Sequence, residues 1–250
     1  MPRKARKISE SKIYHIMLRG INKQQIFMDE EDFDKFLWIL KETKTVSGYK
    51  LYAYCLMGNH IHLLIKVENE SLELIVKRIA GKFVYWYNTK YQRSGHLFQD
   101  RFKSEPVETD EYFLTVLRYI HQNPVKAGIC RDVDKYKYSS YNDYVNRSGF
   151  VDTDFANEML AFDEFEKMHL KISSDKCLDV DEGERVRKTD EQVKVLVFRC
   201  CGCKNLTEFQ RLADSKKEDC VREIYHNGAS IRQISRLTGV SKGLVEKWLR

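Results

Sequence analysis

The chain contains little proline or glycine and no long apolar run. Three prolines and 12 glycines among 250 residues exclude collagen-like and low-complexity sequences. No stretch approaches the roughly 18–20 apolar residues that a membrane-spanning helix needs, and no apolar region follows the basic first residues as it would in a secretory signal. We therefore expect a cytoplasmic protein with no membrane span.

Seven cysteines are present, an odd number for a chain expected to lie in a reducing compartment. Reduced thiols are therefore expected rather than a disulfide framework. Cys200, Cys201 and Cys203 are clustered, but without the paired C-x-x-C spacing of zinc knuckles. We expect buried thiols there, with a zinc site as the alternative.

Charge of either sign is plentiful, but its distribution is uneven. The formal net charge of +6 comprises +7 over residues 1–151, −7 over residues 152–191 and +6 over residues 192–250. Two basic blocks flanking an acidic connector favour a polyanionic partner, although solvated surface lysines and arginines account for the totals equally well.

Chains of 250 residues are near the length at which a second domain forms.

Hydrophobic periodicity in the first block alternates between strand and helix. Strands are predicted over residues 12–19, 51–56, 61–67 and 97–107. Amphipathic helices are predicted from Asp29 to Gly48, from Ser71 to about Tyr91, and from Asp110 to near Asn123, where Pro124 is expected to end the helix. The order β-α-β-β-α-β-α predicts an α+β fold with a ferredoxin-like βαββαβ antiparallel sheet.

The rest of the chain divides by charge and periodicity. We expect the sheet domain to occupy residues 1–150, and residues 151–191 to form one acidic helix near 157–169 and a linker over 173–189. Residues 192–250 have helical patterns throughout, so they are predicted to form a small all-α domain.

The sequence SIRQISRLTGVSKGLVEKWL (230–249) has the layout of a helix-turn-helix. Ser230 and Ser241 stand at the cap positions of two short amphipathic helices, and a glycine supplies the turn between them. Lys242 and Lys247 would flank the recognition surface. We predict that this domain binds duplex DNA; a helical bundle that mediates dimerisation is the alternative.

Two histidines stand two residues apart on the second strand of the predicted hairpin. Successive side chains of a strand alternate between faces, so His60 and His62 point the same way, with Cα atoms roughly 6.6 Å apart. Converging imidazoles at this spacing can share one metal ion. The same pattern also describes two histidines that are at the surface or hydrogen-bonded in a core.

The helix that begins at Asp110 carries a second set of polar residues. Tyr119 and Asn123 are four residues apart and lie one turn from each other, with Gln122 nearby as a second candidate ligand and His121 on the far side. A cation held by two imidazoles and an amide oxygen would polarise a phosphodiester, which a nearby phenolate could attack. Taken singly, Tyr119 and Asn123 are better explained as a core-edge tyrosine and a helix-end asparagine.

Several motifs occur in a fixed order across residues 8–146. They are YAYCLMGNHIHLLI (52–65), GHLFQDRFKSEPVETDEYF (95–113), RYIHQNPVKAG (118–128) and YKYSSYNDY (136–144). In these motifs the chain resembles the single-tyrosine HUH transposases, in particular the REP-associated tyrosine transposases of the IS200-like branch. The fold that this resemblance implies is the βαββαβ sheet already predicted.

The resemblance implies a role for four of the residues above. The HUH histidines of the family bind Mg²⁺ or Mn²⁺ and match His60 and His62. The nucleophile matches Tyr119, and the third metal ligand matches Asn123. The implied reaction cleaves single-stranded DNA beside a hairpin, leaves a 5′-phosphotyrosine and a free 3′-hydroxyl, and then rejoins strands. Relatives act as monomers or homodimers.

Two other functions are compatible with the same residues. A repressor-like DNA-binding protein would retain the fold without cleavage. A zinc hydrolase would use the histidine pair while Tyr119 is only structural.

Basic and aromatic side chains interleave between residues 82 and 93, as in surfaces that bind single-stranded nucleic acid. Lys90, Arg93 and, further along, Arg101 are therefore candidates for contacts with DNA phosphates. Phe83 and Trp86 also belong to the apolar stripe of the predicted helix, so packing in the core is a strong alternative explanation for the segment.

Overall fold

The computed structural model describes residues 6–147, 149–170, 177–178, 190–203, 206–226 and 229–249. The chain divides into two units, residues 1–180 and 181–250. Apart from 177–178, the linker predicted over 173–189 lies outside the described residues. Across the described ranges, no helix combines the length and apolar character needed to cross a bilayer.

The first unit is built on a four-stranded sheet. Its strands are β1 (Ile13–Arg19), β2 (Lys50–Met57), β3 (His60–Lys66) and β4 (Lys103–Pro106). They lie in the order β2-β3-β1-β4, and every neighbouring pair is antiparallel. The main helices are α1 (Glu30–Ser47), α2 (Leu72–Lys90) and α3 (Asp110–Lys126). This arrangement confirms the predicted ferredoxin-like α+β fold.

The two faces of the sheet are covered by different helices. Ile16 and Leu18 on β1 pack in one core cluster with α1 and α2, whereas Ile13 packs with α3 in the other. Alternation along the strand places His15 on the α3 face. Three shorter helices follow: α4 (Tyr141–Asn146), α5 (Asp154–Met159) and α6 (Phe162–Leu170). The acidic helix predicted near 157–169 is therefore two helices, and α6 packs on α3.

Two predicted boundaries were wrong. The fourth strand covers Lys103–Pro106 rather than 97–107, because the chain before it makes only a single bridge, between Gly20 and Phe98. Helix α3 passes through Pro124 and ends at Lys126. Proline removes one donor, but the Ala127 N–H still bonds to the Asn123 carbonyl at 2.9 Å, so the last turn is retained.

The second unit is helical, as predicted. Its helices are α7 (Asp190–Cys201), α8 (Leu206–Gln210), α9 (Asp214–His226), α10 (Ile231–Thr238) and α11 (Lys242–Trp248). Ser230 caps α10 in a capping box, Gly239 ends it at φ 75°, and Ser241 caps α11. The side chains of Ile234, Val245 and Trp248 are buried in its core. All seven cysteines of the chain are free thiols, but Cys200, Cys201 and Cys203 are only partly buried, so the expectation of buried thiols there was wrong.

A buried hydrogen-bonded pair of histidines joins α3 to α6. His121 Nδ1 lies 2.9 Å from His169 Nε2, and His169 Nδ1 lies 2.8 Å from the Phe165 carbonyl oxygen. His121 Nε2 lies 2.8 Å from Ser140 Oγ. Burial, outweighing the hydrogen bond to Phe165, lowers the pKa of His169 to about 4. These contacts place His121 in a core that ties α6 to α3.

A second polar network joins α1 to α2. Lys90 Nζ lies 2.7–2.9 Å from carboxylate oxygens of Asp29, Glu31 and Asp32. Asp32 is fully buried and its carboxylate also accepts from the Met28 N–H. The charge of Lys90 is therefore compensated within the protein, and its predicted contact with DNA phosphate stays a prediction.

Replacing His169 should flatten the pH dependence of stability. Because the folded-state pKa lies below the unfolded value of about 6.5, the unfolded state takes up a proton first as the pH falls. The free energy of unfolding therefore falls by roughly 3 kcal/mol as the pH drops from 6.5 to 4. Above pH 6.5 this contribution to stability is fully present. Denaturant unfolding of His169→Gln across this range should show a correspondingly smaller decline. An unchanged decline would contradict the lowered pKa of His169 in the folded protein.

Replacing Lys90 should destabilise the first unit, because the buried Asp32 loses its main cationic partner. Lys90→Met should lower the free energy of unfolding by about 3 kcal/mol. Lys137→Met is the matched control, since Lys137 pairs with Glu30 at 3.2 Å and both side chains are exposed, so its loss should cost less than about 1 kcal/mol. Equal losses in denaturant unfolding of the two variants would show that the network has no special role.

Candidate active site

The hairpin of β2 and β3 delivers both histidines of the pair to the α3 face. A two-residue turn, Gly58-Asn59, separates the strands, so His60 is the first residue of β3 and His62 follows on the same face. The ring centroids are 5.1 Å apart and the ring planes are nearly perpendicular, at 86°. His60 is partly buried and His62 is fully buried.

Helix α3 places Tyr119 beside this pair. Its ring centroid lies 5.7 Å from that of His62 and 5.8 Å from that of His15. Tyr119 is 3% exposed, and Lys126 Nζ lies 4.7 Å from its ring centroid. The structure therefore brings the predicted nucleophile and the predicted metal ligand His62 together.

Asn123 lies one turn further along α3 and is also buried. Its Nδ2 donates to the Tyr119 carbonyl oxygen at 3.2 Å. This bond uses the amide nitrogen in the helix itself, so Oδ1 is the atom that Asn123 can offer to a ligand.

The chemistry of His62 fits a metal ligand. Burial, reinforced by the nearby His15 and His60, lowers the pKa of His62 well below its usual value, so the ring is neutral. Its Nδ1 is hydrogen-bonded to His15, while its Nε2 is buried and has no hydrogen-bond partner among the described residues. Neutral imidazole is the form that binds metal ions.

The third ligand would have to come from another residue type. Within the described parts of the chain, no three His, Cys, Asp or Glu side chains are grouped to hold a metal ion. An amide oxygen such as that of Asn123 is compatible with this donor set.

Sequence reasoning missed three residues near the site. His15 contacts His62, Glu105 contacts His15, and Lys126 contacts Tyr119. The sequence did contain a signal, because His15 interrupts the apolar pattern of β1 and Glu105 is a charged residue in the short strand β4. These two positions do not show that the strands pair with each other. Lys126 was missed because α3 was expected to end near Asn123.

The DNA-binding candidates of the first unit are spread over its surface. Arg93 donates to the His96 carbonyl oxygen at 3.2 Å and lies over the Tyr87 ring. Arg101 lines a groove of about 700 Å³ along β4, which we call the β4 groove. Its lining also includes Arg6, Lys7 and Lys103. This concentration of cations along an edge strand is what a polyanion would require.

In the second unit, Lys242 and Lys247 are exposed on α11. Lys242 Nζ lies 3.4 Å from Glu246 Oε1, a surface pair that contributes little to stability.

Comparisons with known proteins identify relatives of this chain. Residues 9–123 match the family model of IS200-like transposases. A protein of Haemophilus influenzae, described as a REP-associated tyrosine transposase, is 30% identical over 121 residues, which cover 44% of this chain and 68% of that protein.

A solved structure supports the fold. The structure of a REP-associated tyrosine transposase bound to a REP hairpin matches 72% of this chain and all of its own, with a TM-score of 0.53 and 15% identity. At that identity the likeness concerns the HUH fold alone. The family model and the Haemophilus relative establish that the chain belongs to the IS200-like transposase family, among the REP-associated tyrosine transposases.

Proposed function

We propose that this transposase cleaves and rejoins single-stranded DNA through a covalent bond to Tyr119, with a divalent ion, Mg²⁺ or Mn²⁺, held by His60, His62 and Asn123. The observation that carries the proposal is the position of the Tyr119 ring, 5.7 Å from the ring of His62. A nucleophile and a neutral metal ligand thus lie side by side, as attack on a metal-bound phosphate requires.

In the proposed reaction, Tyr119 Oη forms a bond to phosphorus as the bond from phosphorus to the 3′ oxygen breaks. The phenol loses its proton and the departing 3′ oxygen gains one, which leaves a 5′-phosphotyrosine and a 3′-hydroxyl. Attack by a 3′-hydroxyl on the phosphotyrosine reverses these changes and rejoins the strand. No ATP is required, because one phosphoester bond replaces another.

The residues around Tyr119 favour this chemistry. A phenol has an ordinary pKa near 10, so its anion needs nearby positive charge. Lys126 Nζ, 4.7 Å from the ring centroid, supplies one such charge. A bound divalent ion would act as a Lewis acid on the phosphate. His60, His62 and Asn123 would orient that ion beside the phenol.

The proposed substrate is a DNA hairpin with a single-stranded flank. The structural relative is bound to a REP hairpin, and this chain has cations to hold such a ligand. In the β4 groove, Arg6, Lys7, Arg101 and Lys103 outnumber the two carboxylates, those of Asp100 and Glu105. We propose that the single-stranded flank lies there.

Replacing the phenol oxygen should abolish the covalent bond. Purified protein with Mn²⁺ and a hairpin oligonucleotide that carries single-stranded flanks should give a protein–DNA adduct, detected by denaturing electrophoresis. Tyr119→Phe should give none, because the ring remains but the nucleophile is lost. Tyr85→Phe is the matched control, since Tyr85 is 78% exposed on α2, and it should form the adduct at the wild-type level.

Two results would contradict the proposal. An adduct formed by Tyr119→Phe would place the nucleophile elsewhere. Tight hairpin binding with no adduct in wild-type protein at any metal would favour a repressor-like DNA-binding protein that has lost cleavage.

We also propose that α10 and α11 form a helix-turn-helix that binds duplex DNA. The two caps at Ser230 and Ser241 and the glycine turn between the helices support this reading. Lys242 and Lys247 would contact phosphates. The cytoplasmic location and the choice between monomer and homodimer stay predictions.

Salt dependence tests the helix-turn-helix in the intact chain. If Lys247 neutralises one phosphate, Lys247→Ala should reduce the slope of log affinity against log salt by about 0.9 for duplex DNA. Lys242→Ala should act similarly. Lys216→Ala, an exposed lysine on α9, should leave the slope unchanged. Equal slopes for all three variants, measured by fluorescence anisotropy, would rule out this surface.

A further inference from the structure

Three polar side chains from three neighbouring strands form one hydrogen-bonded line beneath α3. Glu105 on β4 is the direct cross-strand partner of His15 on β1, and Glu105 Oε1 lies 2.9 Å from His15 Nδ1. His15 Nε2 lies 2.9 Å from Nδ1 of His62 on β3. Both imidazoles are fully buried. The line therefore runs from the edge of the sheet to His62.

The carboxylate at the edge determines where the protons lie. Burial raises the pKa of Glu105, but hydrogen bonds from His15 and from the Leu178 N–H outweigh this effect and lower it. An ionised carboxylate only accepts, so His15 Nδ1 must donate. When His15 is neutral, its other ring nitrogen, Nε2, then carries the lone pair. His62 Nδ1 donates to it, which leaves a lone pair on His62 Nε2.

The other histidine of the pair is oriented by a different partner. His60 Nδ1 lies 2.7 Å from Asn59 Oδ1. Asn59 Nδ2 donates to the Lys23 carbonyl oxygen at 3.3 Å, which identifies Oδ1 as the atom that faces His60. His60 Nδ1 therefore donates as well. With a neutral His15, both histidines of the pair have the same tautomer, with the lone pair on Nε2, although their neighbours differ in chemistry.

We propose that Glu105 and His15 are positioning residues, which fix the tautomer and ring orientation of His62 so that Nε2 is presented to a divalent ion. This inference rests on the metal site in the proposed function. Such partners of a ligating histidine typically change metal affinity by 10- to 100-fold when they are removed.

A purely structural role makes a different prediction. If the line only joined β1 to β3 and β4, any replacement that keeps the sheet folded would leave His62 unchanged. If it sets the tautomer, loss of His15 removes the acceptor for His62 Nδ1. The proton can then move to Nε2 while the sheet stays intact, and the two roles separate in a measurement on His62 itself.

The first test is the tautomer of His62 in the metal-free protein. ¹⁵N NMR of histidine-labelled full-length protein reports which ring nitrogen is protonated, and comparison with His62→Gln assigns the signal. We expect wild-type His62 to be protonated at Nδ1 and His15→Ala to give a mixture of tautomers. His15→Gln retains a donor and an acceptor and should restore part of the wild-type signal.

The second test is Mn²⁺ affinity without DNA, measured by electron paramagnetic resonance. His15→Ala and Glu105→Ala should weaken binding 10- to 100-fold, and Glu105→Gln less, because its amide oxygen can still accept from His15. The control is His96→Ala, which removes an exposed imidazole and should leave the affinity unchanged. Thermal unfolding establishes that each variant is folded.

Each of these measurements can overturn the proposed roles of Glu105 and His15. A wild-type His62 protonated at Nε2 would overturn it whether or not Mn²⁺ binds. Unchanged Mn²⁺ affinity in folded His15→Ala and His15→Gln would overturn it as well. If wild-type protein bound no Mn²⁺, the metal site of the proposed function would fail and the metal-presenting role with it. The tautomer measurement would then still show whether Glu105 and His15 orient His62.

Discussion

The antiparallel register of β3, β1 and β4 is the constraint on which the candidate site depends. In β1, His15 is paired with Leu64 and Met17 with His62, so His15 and His62 are diagonal neighbours on the α3 face. On the other side, His15 is paired directly with Glu105. A slip of one residue in either pairing would move one partner to the opposite face. Residues on paired strands, and not on a loop, therefore surround the buried imidazole of His62.

Helix α3 contributes the other residues of the candidate site, Tyr119 and Asn123. Tyr119 and Asn123 share one side of the helix because they are four residues apart, and the helix continues past Asn123 into a final turn. That turn also carries Lys126 to the Tyr119 ring. Pro124 therefore costs one backbone hydrogen bond but does not change the phase of the residues that face the histidines.

Much of this arrangement could be predicted from local patterns. Alternation on β3 predicted that His60 and His62 share a face, and caps such as Asp29 and Ser71 predicted where α1 and α2 begin. Local chemistry determines such features, so they can be read within a few residues.

Contacts between distant segments could not be predicted in this way. Glu105 and His15 are 90 residues apart in sequence, and only the pairing of β1 with β4 brings them together. Lys90 resembles a surface cation in its own helix, yet Asp32, 58 residues away, holds it in an ion-pair network. Neither contact leaves a periodic pattern, because each depends on how the elements pack.

In the proposed reaction, Tyr119, beside the histidine pair, becomes covalently bonded to DNA. Mass spectrometry of the trapped adduct tests this most directly, because cleavage after Arg118 and Lys126 isolates a peptide in which Tyr119 is the sole tyrosine. We expect that peptide to carry the 5′-phosphate of the DNA on Tyr119. Recovery of the DNA on any other peptide would contradict the account.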